Sequence, residues 1–143
     1  MLLQKEERGA LNTVTAYGED HIAINEVSYP HAVYFRPEGE IHTWDVQEVQ
    51  QITTALVEQA AGVTRLANSA FDLLDDIPTI RYQNAPEVLI IGTGKHQVFL
   101  DPAILAPLLQ ARVGIEVMDS KAASRTYNVL MSEGRKVAVA LLI

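Results

Sequence analysis

Two stretches of this 143-residue chain are apolar without a break: Val88-Leu89-Ile90-Ile91, bounded by Pro86 and Gly92, and the run V-A-V-A-L-L-I that closes residues 136–143. A strand with one face in water alternates apolar and polar residues. An unbroken aliphatic run therefore predicts a strand buried on both faces, inside a sheet covered on both sides. Ile115-Glu116-Val117-Met118 supplies a third strand between them, and the intervening residues read as helices. Asp101-Pro102 opens one helix, with the aspartate as N-cap and proline at the first position. Pro107 interrupts the stripe of Ile104, Leu105, Leu108 and Leu109, which predicts a kink or a short turn followed by a helix that Gly114 ends. Asp119 or Ser120 caps another helix over about residues 121–132, and Gly134 stops it. Strand, helical crossover and strand imply parallel neighbours in a right-handed unit.

The first part of the chain has the shorter period of a small antiparallel β meander. Residues 13–17 and 21–25 flank Gly18-Glu19-Asp20, and residues 32–35 and 40–44 flank Arg36-Pro37-Glu38-Gly39. Both links carry turn chemistry: glycine for positive φ, and Pro37 to preset a turn. Tyr29-Pro30 marks a bend between the pairs. Val46, Val49, Ile52, Leu56, Val57 and Ala60 then fall on one helical stripe, with Asp45 and Glu48 as an approximate capping pair and Gly62 as the stop. A further stripe of Val63, Leu66, Ala67, Ala70, Leu73 and Leu74 predicts a second helix, ended by Asp75-Asp76-Ile77-Pro78.

With 48% hydrophobic and 20% charged residues, a chain of this length builds one soluble domain, residues 1–143, with 1–10 as a frayed end. Eleven basic against eighteen acidic residues leave a formal charge of −7, which argues against nucleic acid and an anionic membrane as partners. No apolar run is long enough for membrane insertion. The opening M-L-L-Q-K-E-E-R lacks the apolar stretch of a signal peptide, so a cytoplasmic location is expected. Cysteine is absent, which removes disulfides and thiolate chemistry. The charge is uneven: residues 1–94 sum to −9 and residues 95–143 to +2, so a local anion-facing or partner-facing patch can hide beneath the global sign.

Several constellations invite a chemical reading beside a structural one. Gly92-Thr93-Gly94-Lys95 follows a buried strand and can cradle an anion, or can be a tight turn. It lacks the third glycine of a dinucleotide fingerprint and the Gly-Lys-Ser/Thr of a Walker loop. Asp119 and Ser120 lie at the end of the next parallel strand, where strand ends converge into clefts; the aspartate is equally a natural helix cap. Lys121, Arg125, Asn128 and Ser132 share one helix face opposite Ala123, Tyr127 and Leu130, either as a solvated face or as a recognition stripe in which Arg125 holds a carboxylate or phosphate. His21, His31, His42 and His96 have no metal-ligand spacing, and no G-x-S-x-G elbow accompanies the serines, so neither a metal, a cofactor nor a hydrolase triad is expected. Glu38, Glu40 and Asp45 beside turns read as solvated acids able to flank a cleft.

The runs P-E-V-L-I-I-G-T-G from Pro86, G-I-E-V-M-D-S from Gly114 and A-A-S-R-T-Y-N-V-L-M-S-E-G-R-K-V-A-V-A-L-L-I from Ala122 resemble a family of small α/β domains without an established enzymatic activity. Its eukaryotic members include a mitochondrial complex I assembly factor and an adipogenesis-associated protein. L-N-T-V-T-A-Y-G from Leu11 and the G-x-x-x-x-W ending at Trp44 extend the likeness over nearly the whole chain. Ser120 stands where the family often has threonine, and Ser124 where it often has cysteine, so a thiol there is not required. The segment 61–84 looks longer than usual, which predicts an inserted surface helix. The resemblance implies a single three-layer α/β domain around a mixed central sheet whose last strand runs antiparallel to its neighbours. The positions matching Gly92, Thr93, Gly94, Asp119, Arg125, Thr126 and Asn128 carry its strongest motifs; with Lys95 and Ser120 they form the candidate ligand or partner site. The leading expectation is a non-enzymatic binding or assembly-assisting domain with a protein partner. The rivals are an anionic-ligand domain or enzyme using the glycine loop, Asp119 and Arg125, and a homodimer built on an exposed strand edge or the inserted helix.

Overall fold

The computed structural model describes residues 10–67 and 80–143. Strands β1 (Val14–Tyr17) and β2 (Ile22–Ile24) pair antiparallel around the expected turn at Gly18, but the glycine does not serve for positive φ: it leaves room for the His21 ring, which an added Cβ would strike. A third strand, β3 (Val27–Tyr29), has no counterpart in the sequence reading. Its link is Asn25-Glu26, with φ of 53° and 68°, two successive left-handed residues of the kind that match hairpin twist. The link contains no glycine to announce it. The second expected hairpin forms as β4 (Val33–Phe35) and β5 (His42–Thr43), with Gly39 at φ 97° in its turn.

The single helix expected after Asp45 is divided. A 3-10 turn spans Val49–Gln51, Ile52 returns to extended backbone, and Thr53 caps a new helix, α1 (Thr54–Ala61), by accepting from Leu56 N. The capping pair at the turn is Glu48 with Gln51, whose Oε1 accepts from Gln47 N and Glu48 N, rather than Asp45 with Glu48. Two local caps outcompete the continuous stripe. Gly62 ends α1 in the left-handed conformation, and the second predicted helix does not start at Val63. Thr64–Arg65 form β6, antiparallel to β7 (Tyr82–Gln83), because Gly62 turns the chain back before a helical turn can nucleate. The rest of the expected inserted helix, 68–79, lies outside the described residues.

Strand β8 (Val88–Gly92) leads through α2 (Pro102–Gln110) to β9 (Gly114–Met118), and β9 through α3 (Ser120–Ser132) to β10 (Val137–Leu141). Asp101 caps α2 through Ala103 N, as predicted, but the helix passes through Pro107 without a break. Pro107 is the sixth residue of the helix, so α2 forgoes the one bond an N–H there would have made to Ala103 O and continues on either side. Nor does Gly114 stop this helix: Arg112 does, at φ 67°, while Val113 N and Arg112 N close back onto Leu108 O and Leu109 O.

The main sheet has the order β5-β4-β10-β8-β9. It is mixed, because β10 runs antiparallel to β4 on one side and parallel to β8 on the other. The expected antiparallel last strand thus holds for one neighbour. Moving from β8 outward to β9 and from β9 back across to β10 reverses direction, so crossovers of one hand must lie on opposite faces. They do. Leu89, Ile91, Ala138 and Ala140 pack with α1 and Leu108 of α2, while Val88, Ile90, Val137 and Val139 pack with Ala123 and Tyr127 of α3 and with Ile22 and Ile24 of β2. Period-two alternation sorts one unbroken apolar run into two cores, producing the three layers.

Two stability outcomes follow from this packing. Arg112→Gly relieves a left-handed arginine and should raise stability by up to about 1 kcal/mol, read as a higher midpoint in urea. The Tyr127 hydroxyl, buried against Phe35, donates to Asn12 O at 2.6 Å, and burial holds this phenol well above its ordinary value of 10.0. The unfolded chain therefore ionises first as pH rises past the ordinary phenol value, so stability is full below about pH 10 and falls above it. Tyr127→Phe should cost about 1–2 kcal/mol at neutral pH and flatten the alkaline fall, measured by denaturant unfolding across pH.

Candidate functional site

Because β8, β9 and β10 are parallel, the chain leaves all three at one edge, and most of the predicted site lies there. Ser120, fully buried, ties the three exits together: its Oγ accepts from Gly94 N at 2.8 Å and donates to Leu142 O at 2.6 Å, while its own N donates to Gly94 O at 2.8 Å. Thr93 N donates to Met118 O, and Leu142 N donates to Gly92 O. The Thr93 hydroxyl donates to His96 O at 2.6 Å and accepts from Val98 N at 3.1 Å, which closes the following loop. A Cβ on Gly92 would come within 2.8 Å of the Ser120 Cα, so only glycine lets β8 and α3 approach this closely. The Thr93 and Gly94 amides that would face an anion are thus engaged internally.

The remaining predicted residues divide. Asp119 is the N-cap of α3, accepting from Ala122 N at 2.8 Å. Ser124 Oγ donates to Ser120 O, and Thr126 Oγ1 contacts Met118 Sδ at 3.5 Å. Asn128 faces β1, accepting from Val14 N and donating to Val14 O, so its amide fastens the meander onto α3. Ser132 bonds back to Val129 O. Of the proposed stripe, Lys121 and Arg125 stay exposed, as does Lys95 on the loop. The structure therefore groups Gly92, Thr93, Gly94, Asp119 and Ser120, and leaves the exposed cations apart from that knot of bonds. Tyr17, read in the sequence only as a strand residue, faces it from β1. Burial raises its phenol pKa, a hydrogen bond with Ser120 opposes the rise, and the Asp119 charge adds to it.

A second residue that motif reading missed is Arg36, just after β4. Its Nη2 donates to Ala61 O at 2.6 Å and to Asn84 O, joining the end of α1 to the segment before β8. Its Nε is buried with no partner among the described residues, and desolvation lowers its pKa. It lines a cavity of about 240 Å³ with the stacked Tyr34 and His42, and a groove of about 690 Å³ with Met131 and Lys136. Glu38 borders both, as a cleft-flanking acid. The signal available in sequence was only a lone arginine before Pro37 in an acidic half.

At the opposite edge of the sheet Phe99 is 86% exposed and Val98 40% exposed, on the loop that Thr93 closes. Gln97 Nε2 donates to Val117 O of the edge strand β9. Among the described residues no three His, Cys, Asp or Glu side chains converge as a metal site, and no helix is long and apolar enough to cross a membrane.

The profile of a family described as proteins of unknown function (DUF498/DUF598) matches residues 14–142. The chain belongs to that family. A crystal structure from Bordetella parapertussis is 47% identical and covers 93% of this chain and 96% of its own, with a TM-score of 0.75. The solution structure of a Mth938-like domain from Bordetella pertussis is 48% identical over 93% of this chain and 86% of its own, with a TM-score of 0.74. A Xenopus tropicalis protein named NADH dehydrogenase (ubiquinone) 1 alpha subcomplex assembly factor 3 is 45% identical over 56 residues, 39% of this chain and 31% of that protein. A Francisella tularensis protein named 13 kDa major membrane protein is 31% identical over 78 residues, 50% of this chain and 63% of that protein. The matches thus span about a third and under two thirds of these curated relatives' lengths. The resemblance read from the Pro86, Gly114 and Ala122 runs therefore holds at the level of the Mth938-like family.

For the Mth938-like fold the Ser120 knot is the vulnerable point. Ser120→Ala leaves Gly94 N and Leu142 O buried without partners, and should destabilise by about 2–4 kcal/mol in urea unfolding.

Proposed function

We propose that this Mth938-like domain is a cytoplasmic binding or assembly-assisting module that works through protein–protein contacts rather than as an enzyme. The observation that carries the reading is Phe99, 86% exposed directly after Val98, in a loop whose backbone Thr93 holds at His96 and Val98 and whose Gln97 is bonded to β9. A large aromatic held in water by an ordered loop fits an anchor for a partner's pocket, since interface energy concentrates in such residues. The neighbouring β9 is an edge strand, able to accept a further strand. Support also comes from the relatives named as complex I assembly factors, although the matched stretch is a fraction of their length. The polar groups at the knot are consumed by internal bonds, which favours a structural role for Ser120 and Thr93 over chemistry on a substrate.

Native mass spectrometry of the protein gently isolated from its host tests this. The wild type and Arg125→Ala should retain a second protein, and Phe99→Ser should lose it by about tenfold or more. If the retained chain is a second copy, the partner is the domain itself. A bare wild-type protomer, or capture indifferent to Phe99, would overturn the reading.

A further inference from the structure

The groove beside Arg36 lies away from the Phe99 loop and calls for a different ligand. Its apolar lining comes from Leu11, Met131 and Val137, and its cations are Arg36, Arg135 and Lys136. Two of these belong to the mildly basic carboxy-terminal third, and the fold brings Arg36 to them from the acidic half. Glu38 on the lining and Glu87, paired with Arg135 at 3.1 Å, are the acids that face this group.

Arg36 is the unusual member. A guanidinium presents five N–H donors. The two on Nη2 meet Ala61 O and Asn84 O, Nε is buried unpartnered, and Nη1 has no acceptor among the described residues. No carboxylate forms an ion pair with it there. A half-buried cation with no counter-ion among the described residues is costly, and an anion from solution offsets that cost. The volume, about 690 Å³, falls within the range of small-molecule sites.

We propose that this groove binds a small amphiphilic carboxylate, its head group on the Arg36 and Lys136 cations and its hydrocarbon part against Leu11, Met131 and Val137. Both features are needed: the cations select the charge, and the apolar floor distinguishes an acyl chain from a bare anion.

Octanoate is the probe, titrated into the full chain carrying ¹³C-methyl methionine. Met131 lines the groove, whereas Met118 lies at the far edge of the sheet beside Thr93. The Met131 methyl should shift in a saturable manner and Met118 should not. Acetate and octylamine should each bind at least tenfold more weakly. Lys136→Gln, an exposed change, should weaken octanoate several-fold, and Arg36→Gln by tenfold or more. If Arg36→Gln fails to fold, the wild-type map and Lys136→Gln decide alone. No saturable Met131 shift, equal binding of octylamine, or indifference to Lys136 would overturn the assignment. None of these results bears on the Phe99 surface, so this inference and the proposed function fail separately.

Discussion

One buried hydroxyl holds the carboxy-terminal edge of the sheet in register. Parallel strands have no short hairpin to fix their ends, so the exits of β8, β9 and β10 must be joined by other means. Ser120 does this with one oxygen, taking the Gly94 amide and giving its proton to Leu142 O. Two constraints follow from that position. Gly92 must lack a side chain, and the next residue before the knot must cap α3, which Asp119 does. The alternation of Val88, Leu89, Ile90 and Ile91 between two cores then depends on this register, since a slip by one residue would exchange the faces.

Of the expected meander, β4 and β5 join the main sheet, while the separate β1-β2-β3 sheet is attached by polar side chains and by the packing of Ile22 and Ile24 rather than by strand pairing. Asn128 holds both backbone groups of Val14, and the buried Asn12 donates to Arg36 O at 2.8 Å and Gly39 O at 2.9 Å while accepting from Asn25 Nδ2 at 2.8 Å. Directional amides are suited to joining layers whose backbones are not in register, because each supplies a donor and an acceptor on one rigid group. Asn128, one of the positions that the resemblance puts in the candidate site, is thus the fastening of the first hairpin to the last helix. Ser124 likewise turns inward, its hydroxyl bonded to Ser120 O in the preceding turn of α3.

What was readable in the chain was what local chemistry determines. The buried strands, the N-caps Asp101 and Asp119 and the stops Gly62 and Gly134 were legible because each is set by its own residues. The misplaced elements share a different cause. Arg112 and Asn25-Glu26 adopt left-handed backbone without glycine, so packing rather than propensity puts them there. The division at Ile52 and Thr53 turned on which of several polar residues would cap. For the site, glycine and aspartate marked the sheet edge as a place, but the bonds from Thr93 to Met118 and from Ser120 to Leu142 and Tyr17 join segments far apart in sequence.

Charge illustrates the same limit in another way. A chain of −7 reads as repelling anions, and the long-range field does so. Binding at a groove is decided within a screening length of about 8–10 Å, where only the facing groups count. Arg36 stands in the acidic part of the sequence, yet the fold moves it to Arg135 and Lys136, while Glu87 is engaged by Arg135 and by the Lys136 amide. The guanidinium keeps its place through carbonyls of Ala61 and Asn84, neutral acceptors that orient it without cancelling its charge. A cation positioned by dipoles retains its attraction for an anion, whereas one positioned by a carboxylate loses most of it. The difference between an arginine that only props up α1 and one that also holds a ligand therefore lies in what orients it, and here that is backbone.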